Sequence, residues 1–357
     1  TGTCSGWPRG MNDTVRLVST PMNILRWRLD LADRGNKPAR GAGGEDAMAF
    51  EWSFLGPRYW GTWLQLGCLR LLTFAPRRMV MALGGWLGDQ FRTRNQKRRR
   101  IVEVNLSLCF PELTAAERER LMVEHFRAYG CGVLDMGLML WGSEKRLRKL
   151  IDLEGYEEHC RLVASERVLL IAWHLTTMEI TSAILSVTGP AVSMMKPIGN
   201  PLLTWLVARG RRHRADIVLV TRDAGFRPLI RGIRSGRQGY LFPDEDFGES
   251  GPEVVFVPFF GVQRALITSP SRIARAARAR VSVCASQLDR TTGRYRCTVT
   301  PPLEGVTGED VEADLRAISA AMEGLIQRAP EQYLWTFRWF RTRPDGGESP
   351  YDPVAPR

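Results

Sequence analysis

Beyond Asp152, short apolar runs alternate with stretches of helical period. The runs Val168–Trp173, Ala191–Met195, Ile217–Val220 and Gly239–Phe242 are separated by helical segments near 178–187, 201–212 and 224–235. Val254–Phe260, a helix near 269–280, strands at Val281–Ser286 and Tyr295–Thr300, and a helix from Asp310 to Arg328 follow. Such alternation predicts an α/β fold on a mixed, largely parallel sheet flanked by helices. Upstream, Thr114 and Glu117 form a capping box that opens a helix carrying Leu121, Met122, Phe126 and Tyr129. In open parallel sheets chemistry gathers at the carboxyl ends of the strands, so a site is sought there.

The first hundred residues are patterned differently. Residues 1–47 have no periodicity and read as disordered or as an upstream leader, with Met48 an attractive initiator. Trp60–Phe74 is mainly apolar but shorter than the roughly 20 residues a spanning helix needs. Trp52, Tyr59, Trp60 and Trp63 gather at its start, and Met79–Leu87 adds a second apolar patch. Arg92–Arg100 then places six cations in nine residues. Together these features predict an N-terminal membrane-anchoring helix with a basic flank over 48–100, resting on an anionic membrane surface. A core helix beside a solvated basic helix is the plainer alternative. Residues 101–345 are expected to form the catalytic domain and 346–357 a tail.

Charge sharpens the choice of partner. A net charge of +12 and a pI near 9.8 call for an anionic partner, whether nucleic acid, an acidic protein or a membrane. Zinc-finger spacing, RNP-type strands and a helix-turn-helix pattern are all missing, so nucleic acid is the weakest of the three. The seven cysteines show neither a CxxC pair nor zinc-like spacing, and suit reduced core thiols.

His174 closes the apolar run Val168–Trp173, and Glu179 lies five residues on, past Thr176 and Thr177, which could cap a new helix. A turn between them would bring the carboxylate onto the imidazole, giving a general base with an orienting acid. The other histidines, His125, His159 and His213, lie in charged surroundings and are read as surface residues. Lys196 ends a strand before Pro197 and would suit a developing oxyanion, or be an exposed loop lysine. Asp244, Glu245 and Asp246 follow the strand ending at Phe242, either as solvated acids or as acids that position polar groups of a substrate. Pro258 argues against a central strand at Val254–Phe260, which would instead edge a pocket. A Gly-x-Ser-x-Gly elbow and the nucleotide-binding glycine motifs are lacking.

Several motifs in order resemble the late acyltransferases of lipid A biosynthesis, the lauroyl and myristoyl transferase family, from about Phe54 to Tyr351. They include Gly56-Pro57-Arg58-Tyr59-Trp60, Arg98-Arg99-Arg100-Ile101, Asn105 to Leu113, the His-x4-acid pair His174 and Glu179, and Asn200-Pro201-Leu202-Leu203. Asp244 to Gly248, Val257 to Gly261 and Ala329 to Trp335 follow, with Arg338 to Pro344 closing the series. The resemblance implies a glycerolipid-acyltransferase-like fold at the cytoplasmic face of the inner membrane. It implies transfer of an acyl group from acyl carrier protein to a hydroxyl of a 3-hydroxyacyl chain on a Kdo-bearing lipid A precursor, without metal or cofactor. It makes His174 the base and Glu179 its orienting acid, and sets Lys196, Asp223, Asp244 and Asp246 around the substrate. Relatives often carry Arg at the position of Lys196 and His at that of Gly56. Glycerolipid and phosphatidylinositol mannoside acyltransferases, or a non-catalytic basic membrane-binding protein, are the rival expectations.

Overall fold

A computed structural model describes residues 48–248 and 251–351; the expectations for residues 1–47 and for the tail beyond Tyr351 lie outside them. Five helices come first: α1 (Trp60–Leu72), α2 (Arg77–Arg94), α3 (Gln96–Cys109), α4 (Ala115–Trp141) and α5 (Glu144–Leu150). The alternating part then runs β1 (Ile151–Glu154), α6 (Tyr156–Ser165), β2 (Val168–Ala172), α7 (Met178–Thr181), α8 (Leu185–Thr188) and β3 (Ala191–Met195). It continues with α9 (Pro201–Arg214), β4 (Ile217–Thr221), α10 (Arg227–Arg234), β5 (Gln238–Leu241), β6 (Val254–Phe259) and β7 (Val262–Ile267). Helix α11 (Ser269–Ala277), strands β8 (Arg280–Asp289) and β9 (Arg294–Val299), and α12 (Val311–Ile326) complete it.

Seven strands form one sheet in the order β1-β9-β8-β2-β5-β3-β4. β8, β2, β5, β3 and β4 run parallel, while β9 is antiparallel to β8 and β1 follows β9. The α/β expectation holds, and β2 shows why. All five of its residues are buried because both sheet faces are covered, so it reads as an unbroken apolar run. Leu169, Ile171 and Trp173 join a core with the β6–β7 hairpin and α10, α11 and α12. Leu170, Ala172 and Tyr240 point the other way, onto residues of α8 and α9. Pro258 lies in a two-stranded hairpin outside the main sheet, opposite Gln263. The helix expected over 178–187 is broken into two short pieces by a 3-10 turn at 182–184.

Glycines bring α2 and α4 into close contact. A methyl group on Gly84 would stand 2.7 Å from the Cα of Cys131, and one on Gly88 would run into the carbonyl oxygen of Phe126. Arg77 on α2 is bound by both carboxylate oxygens of Asp135 on α4, at 2.5 and 2.9 Å. Helix α1 lays Leu66 and Trp63 against Leu202, Trp205 and Leu206, while Trp60, Leu64 and Leu71 remain exposed. Its 13 residues span about 20 Å. Among the described residues, none of the helices is long and apolar enough to cross a membrane.

Two histidines expected at the surface are buried. His125 accepts no exposure at all, and its Nδ1 bonds the carbonyl of Glu331 at 2.9 Å. His159 meets the Oε1 of Gln238 at 3.1 Å. The charged neighbours that suggested exposure lie on the other faces of the same helices, since a helix turns about 100° per residue.

Replacing Gly88 by alanine should lower unfolding free energy by about 1–3 kcal/mol, because the obstacle is backbone; denaturant titration measures it. Burial pushes His125 down to about 4. The unfolded chain therefore binds a proton first, once pH falls below about 6.5. Stability is full above that pH and declines down to about pH 4, by up to about 3 kcal/mol from this group. Subtracting the His125→Gln curve from the wild-type curve should isolate that slope.

Candidate active site

Histidine 174 stands two residues beyond the end of β2, where the chain leaves the sheet and is caught by a distant segment. The amide of Leu334 donates to the His174 carbonyl at 3.0 Å, and the amide of Thr176 donates to the Gln332 carbonyl at 2.8 Å. This strand-like clamp is itself anchored. The side-chain amide of Asn105 donates to the carbonyls of Trp335 and Phe337 at 2.7 and 2.8 Å, and an Arg98 N–H donates to the carbonyl of Thr336. Motifs from α3 and from 329–344 thus meet behind the histidine.

The carboxylate on the imidazole belongs to Asp244. Its Oδ1 lies 2.7 Å from His174 Nδ1, and its Oδ2 accepts the His174 backbone N–H at 2.9 Å. Asp244 is completely buried. Burial alone would raise its pKa, but the facing His174, its hydrogen bonds and Arg264 hold the carboxyl below the ordinary value. With Nδ1–H donating to an ionised carboxylate, Nε2 carries the lone pair and is the basic nitrogen. The ring keeps 17% of its side-chain surface exposed and lies against Phe242 and Phe337.

Behind Asp244 sits a buried cation. Arg264, on β7, is wholly enclosed, its guanidinium 4.7–5.8 Å from the rings of Trp173, Phe259, Tyr333 and Trp339. It donates to the carbonyl of Asp244 and, at 2.8 Å, to the Tyr333 hydroxyl. That hydroxyl donates in turn to Asp244 Oδ2 at 3.2 Å. Sequence reasoning missed Arg264, Tyr333 and Asn105 as parts of the site. Tyr333 and Asn105 stood inside quoted motifs, but nothing local tied either to a histidine far away in the chain.

Glu179 is engaged elsewhere. Its carboxylate takes Arg211 of α9 in a fork, with Nη2 at 2.6 Å and Nε at 3.2 Å. The turn after His174 does form, with the Met178 amide donating to the Leu175 carbonyl at 3.1 Å, and the carboxylate bonded to the ring is that of Asp244. Asp246 is likewise spent on structure, accepting the Thr342 amide and hydroxyl at 2.7 and 2.6 Å and the Gly248 amide at 2.9 Å. Lys196, mostly exposed, has its Nζ 3.5 Å from Glu245 Oε1. Arg222 binds the other oxygen of Glu245 at 2.6 Å. Asp223 is exposed beside Arg222 and makes no hydrogen bond to the His174–Asp244 couple. Among the described residues, His, Cys, Asp and Glu side chains gather nowhere into a group suited to a metal ion.

A strand-end imidazole oriented by a buried carboxylate suits an α/β protein that draws a proton from a hydroxyl. The chain matches the model of the bacterial lipid A biosynthesis acyltransferases over residues 47–342. It is 32% identical to the lipid A biosynthesis palmitoleoyltransferase of Escherichia coli (strain K12), over 85% of this chain and 98% of that one. It is 31% identical to the lauroyltransferase of the same organism, with the same coverage. A lipid A biosynthesis acyltransferase of Haemophilus influenzae is 33% identical over 85% of this chain and 94% of its own. The chain belongs to the bacterial lipid A biosynthesis acyltransferase family.

Asp244→Asn should keep the geometry but favour the wrong tautomer, cutting kcat by about three to four orders of magnitude. Glu179→Gln should act first on stability, since Arg211 loses its ion pair in a nearly buried setting, at a cost of about 3 kcal/mol. Turnover and melting curves recorded on both variants separate the two roles.

Proposed function

We propose that the protein moves a fatty acyl group from acyl carrier protein onto a hydroxyl of a 3-hydroxyacyl chain of a Kdo-bearing lipid A precursor. Family membership supports acyl transfer in lipid A biosynthesis. The observation that carries the mechanism is the bond between His174 Nδ1 and the buried Asp244, which leaves Nε2 as a base.

Nε2 removes the proton of the acceptor hydroxyl, and Asp244 stabilises the imidazolium that forms. The alkoxide oxygen bonds to the thioester carbonyl carbon, whose oxygen becomes an oxyanion. Collapse of that intermediate breaks the carbon–sulfur bond, and the departing thiolate takes the proton back from the imidazolium. Lys196 and Arg222, both reaching Glu245 beside Asp244, are the cations offered to the oxyanion. Lys196, though paired with Glu245, and Asp223 are exposed just beyond the ends of β3 and β4 and accessible to substrate in a way that Asp246 is not.

The acceptor is a lipid, and the protein offers it a face. Trp60, Leu64, Leu71, Phe74, Met79 and Trp86 are exposed along α1, α2 and the turn between them, beside the exposed Arg78. An apolar face of this kind, edged by cations, suits peripheral attachment to the cytoplasmic side of the inner membrane. Acyl carrier protein, being acidic, is drawn by the remaining positive charge.

Purified protein, a panel of acyl carrier protein thioesters and Kdo-bearing lipid A precursor should yield a product heavier by one acyl group. His174→Ala should lower that rate by about two to four orders of magnitude. Acylation of glycerol phosphate or lysophospholipid instead would move the protein to the glycerolipid branch.

A further inference from the structure

Helix α10 carries Arg227, Arg231 and Arg234 at spacings of four and three, which sets them on one face. All three are exposed, while Leu229 and Ile233 enter the core beside Leu169 and Ile171 of β2. Helix α11 lies alongside, for Arg234 donates to its Ala276 carbonyl at 3.0 and 2.5 Å. Arg275 of α11 is exposed too, as are Arg278 and Arg280 just beyond its end. Neither helix contains an acid. Among the described residues, Arg227, Arg231, Arg275, Arg278 and Arg280 have no ion-pair partner, while Asp216 and Glu253 on adjoining segments already hold Arg237 and Arg272. Like charges at helical spacing repel, so folding gains nothing from the row.

Arg278 points to a use for this charge. It ends α11 with φ 52° and ψ 52°, where its amide donates to the Arg275 carbonyl at 3.1 Å. This left-handed position at a helix end is ordinarily glycine's, because a Cβ crowds the backbone there. Among the described residues, only Phe260 and Arg278 take a positive φ without being glycine. Phe260 offsets its strain by packing against Phe110 and Trp335. Arg278 has no such compensation. A strained residue holding an unpartnered charge in solvent fits a role outside the fold.

The chemistry of the face defines its partner. Large apolar side chains are exposed on α1 and α2, but none on α10 or α11. Stable seating on a membrane draws on apolar burial as well as charge, and single-stranded nucleic acid is held on aromatic platforms. Charge alone suits a soluble acidic protein, steered in from a distance. The row also starts beside the site: Arg222, five residues before Arg227, binds Glu245, the neighbour of Asp244. From there α10 runs about 12 Å toward the start of β5. A carrier seated on the row would present a thioester on a flexible arm at the rim of the site without itself touching the base.

We propose that the arginine face of α10 and the end of α11 is the docking surface for the acidic acyl carrier protein, with Arg278 kept for that contact. The inference rests on the acyl-transfer reading above and gives its donor a place on the molecule.

The test compares the full chain with an Arg227→Glu and Arg231→Glu double variant, Arg278→Gly and Arg278→Lys. Donors are acyl carrier protein bearing a saturated acyl thioester and acyl-pantetheine, the same thioester without the protein. Binding of acyl carrier protein is read separately by fluorescence anisotropy. The double variant should raise KM for the carrier-borne donor about tenfold at low salt and flatten its salt dependence, leaving kcat and acyl-pantetheine turnover unchanged. Arg278→Gly should weaken carrier binding about threefold yet raise the melting temperature by about 1–3 °C, a pairing that a purely structural arginine does not produce. Arg278→Lys should keep most of the binding. Carrier binding that is absent or unchanged in the variants, or equal losses with both donors, overturns the proposal. So does a loss confined to anionic phosphatidylglycerol vesicles, which would make the face a membrane contact. If wild type transfers from neither donor, the acyl-transfer reading fails, whereas carrier binding weakened by the variants would still support the surface.

Discussion

Both oxygens of Asp244 are committed to His174, one to the ring and one to the backbone amide, and much of the fold serves to keep that carboxylate charged while buried. An ionised carboxylate removed from water is stable only with close compensation. Arg264 supplies it from the β6–β7 hairpin, and Tyr333 bridges the two from the segment after α12. Arg264 in turn is buried and rests against four aromatic rings, which favour a cation over their faces. The ends of β2 and β5, the hairpin and the 329–344 segment are consequently bound to one another around one buried carboxylate.

A second ion pair divides the same face of the molecule. Glu179 and Arg211 join α7 to α9. Asp244 is thus the carboxylate on the His174 ring, while Glu179, five residues beyond the histidine, is paired with Arg211 of α9. Two acids of similar type serve different ends because one is enclosed with a cation behind it and the other sits between two helices.

The N-terminal helices add a different constraint. Gly84, Gly88 and Gly130 let α2 approach α4 closely, and Arg77 with Asp135 fixes the contact. With one side of α1 and α2 committed to the body, their large apolar side chains on the other side, Leu64, Leu71, Met79 and Trp86 among them, face outward. The same packing that buries Leu66 and Val80 thus creates an apolar surface.

The fold class was legible because burial on both faces writes β2 as Val-Leu-Leu-Ile-Ala, and because turn and cap residues such as Thr114 and Asn200 act locally. The proposed base was legible for the same reason: His174 stands just beyond a buried strand. Its partner was not. Asp244 is 70 residues away, and only the parallel pairing of β2 with β5 brings the two strand ends together. Nor do neighbouring charges along the chain say which way a helix turns, and so His125 and His159 went inward. Sequence alone determined the strands, the family and the strand-end histidine proposed as the base, since these depend on local pattern. Tertiary structure decided which acid meets its ring and which cation stands behind that acid, because each depends on contacts between segments far apart in the chain.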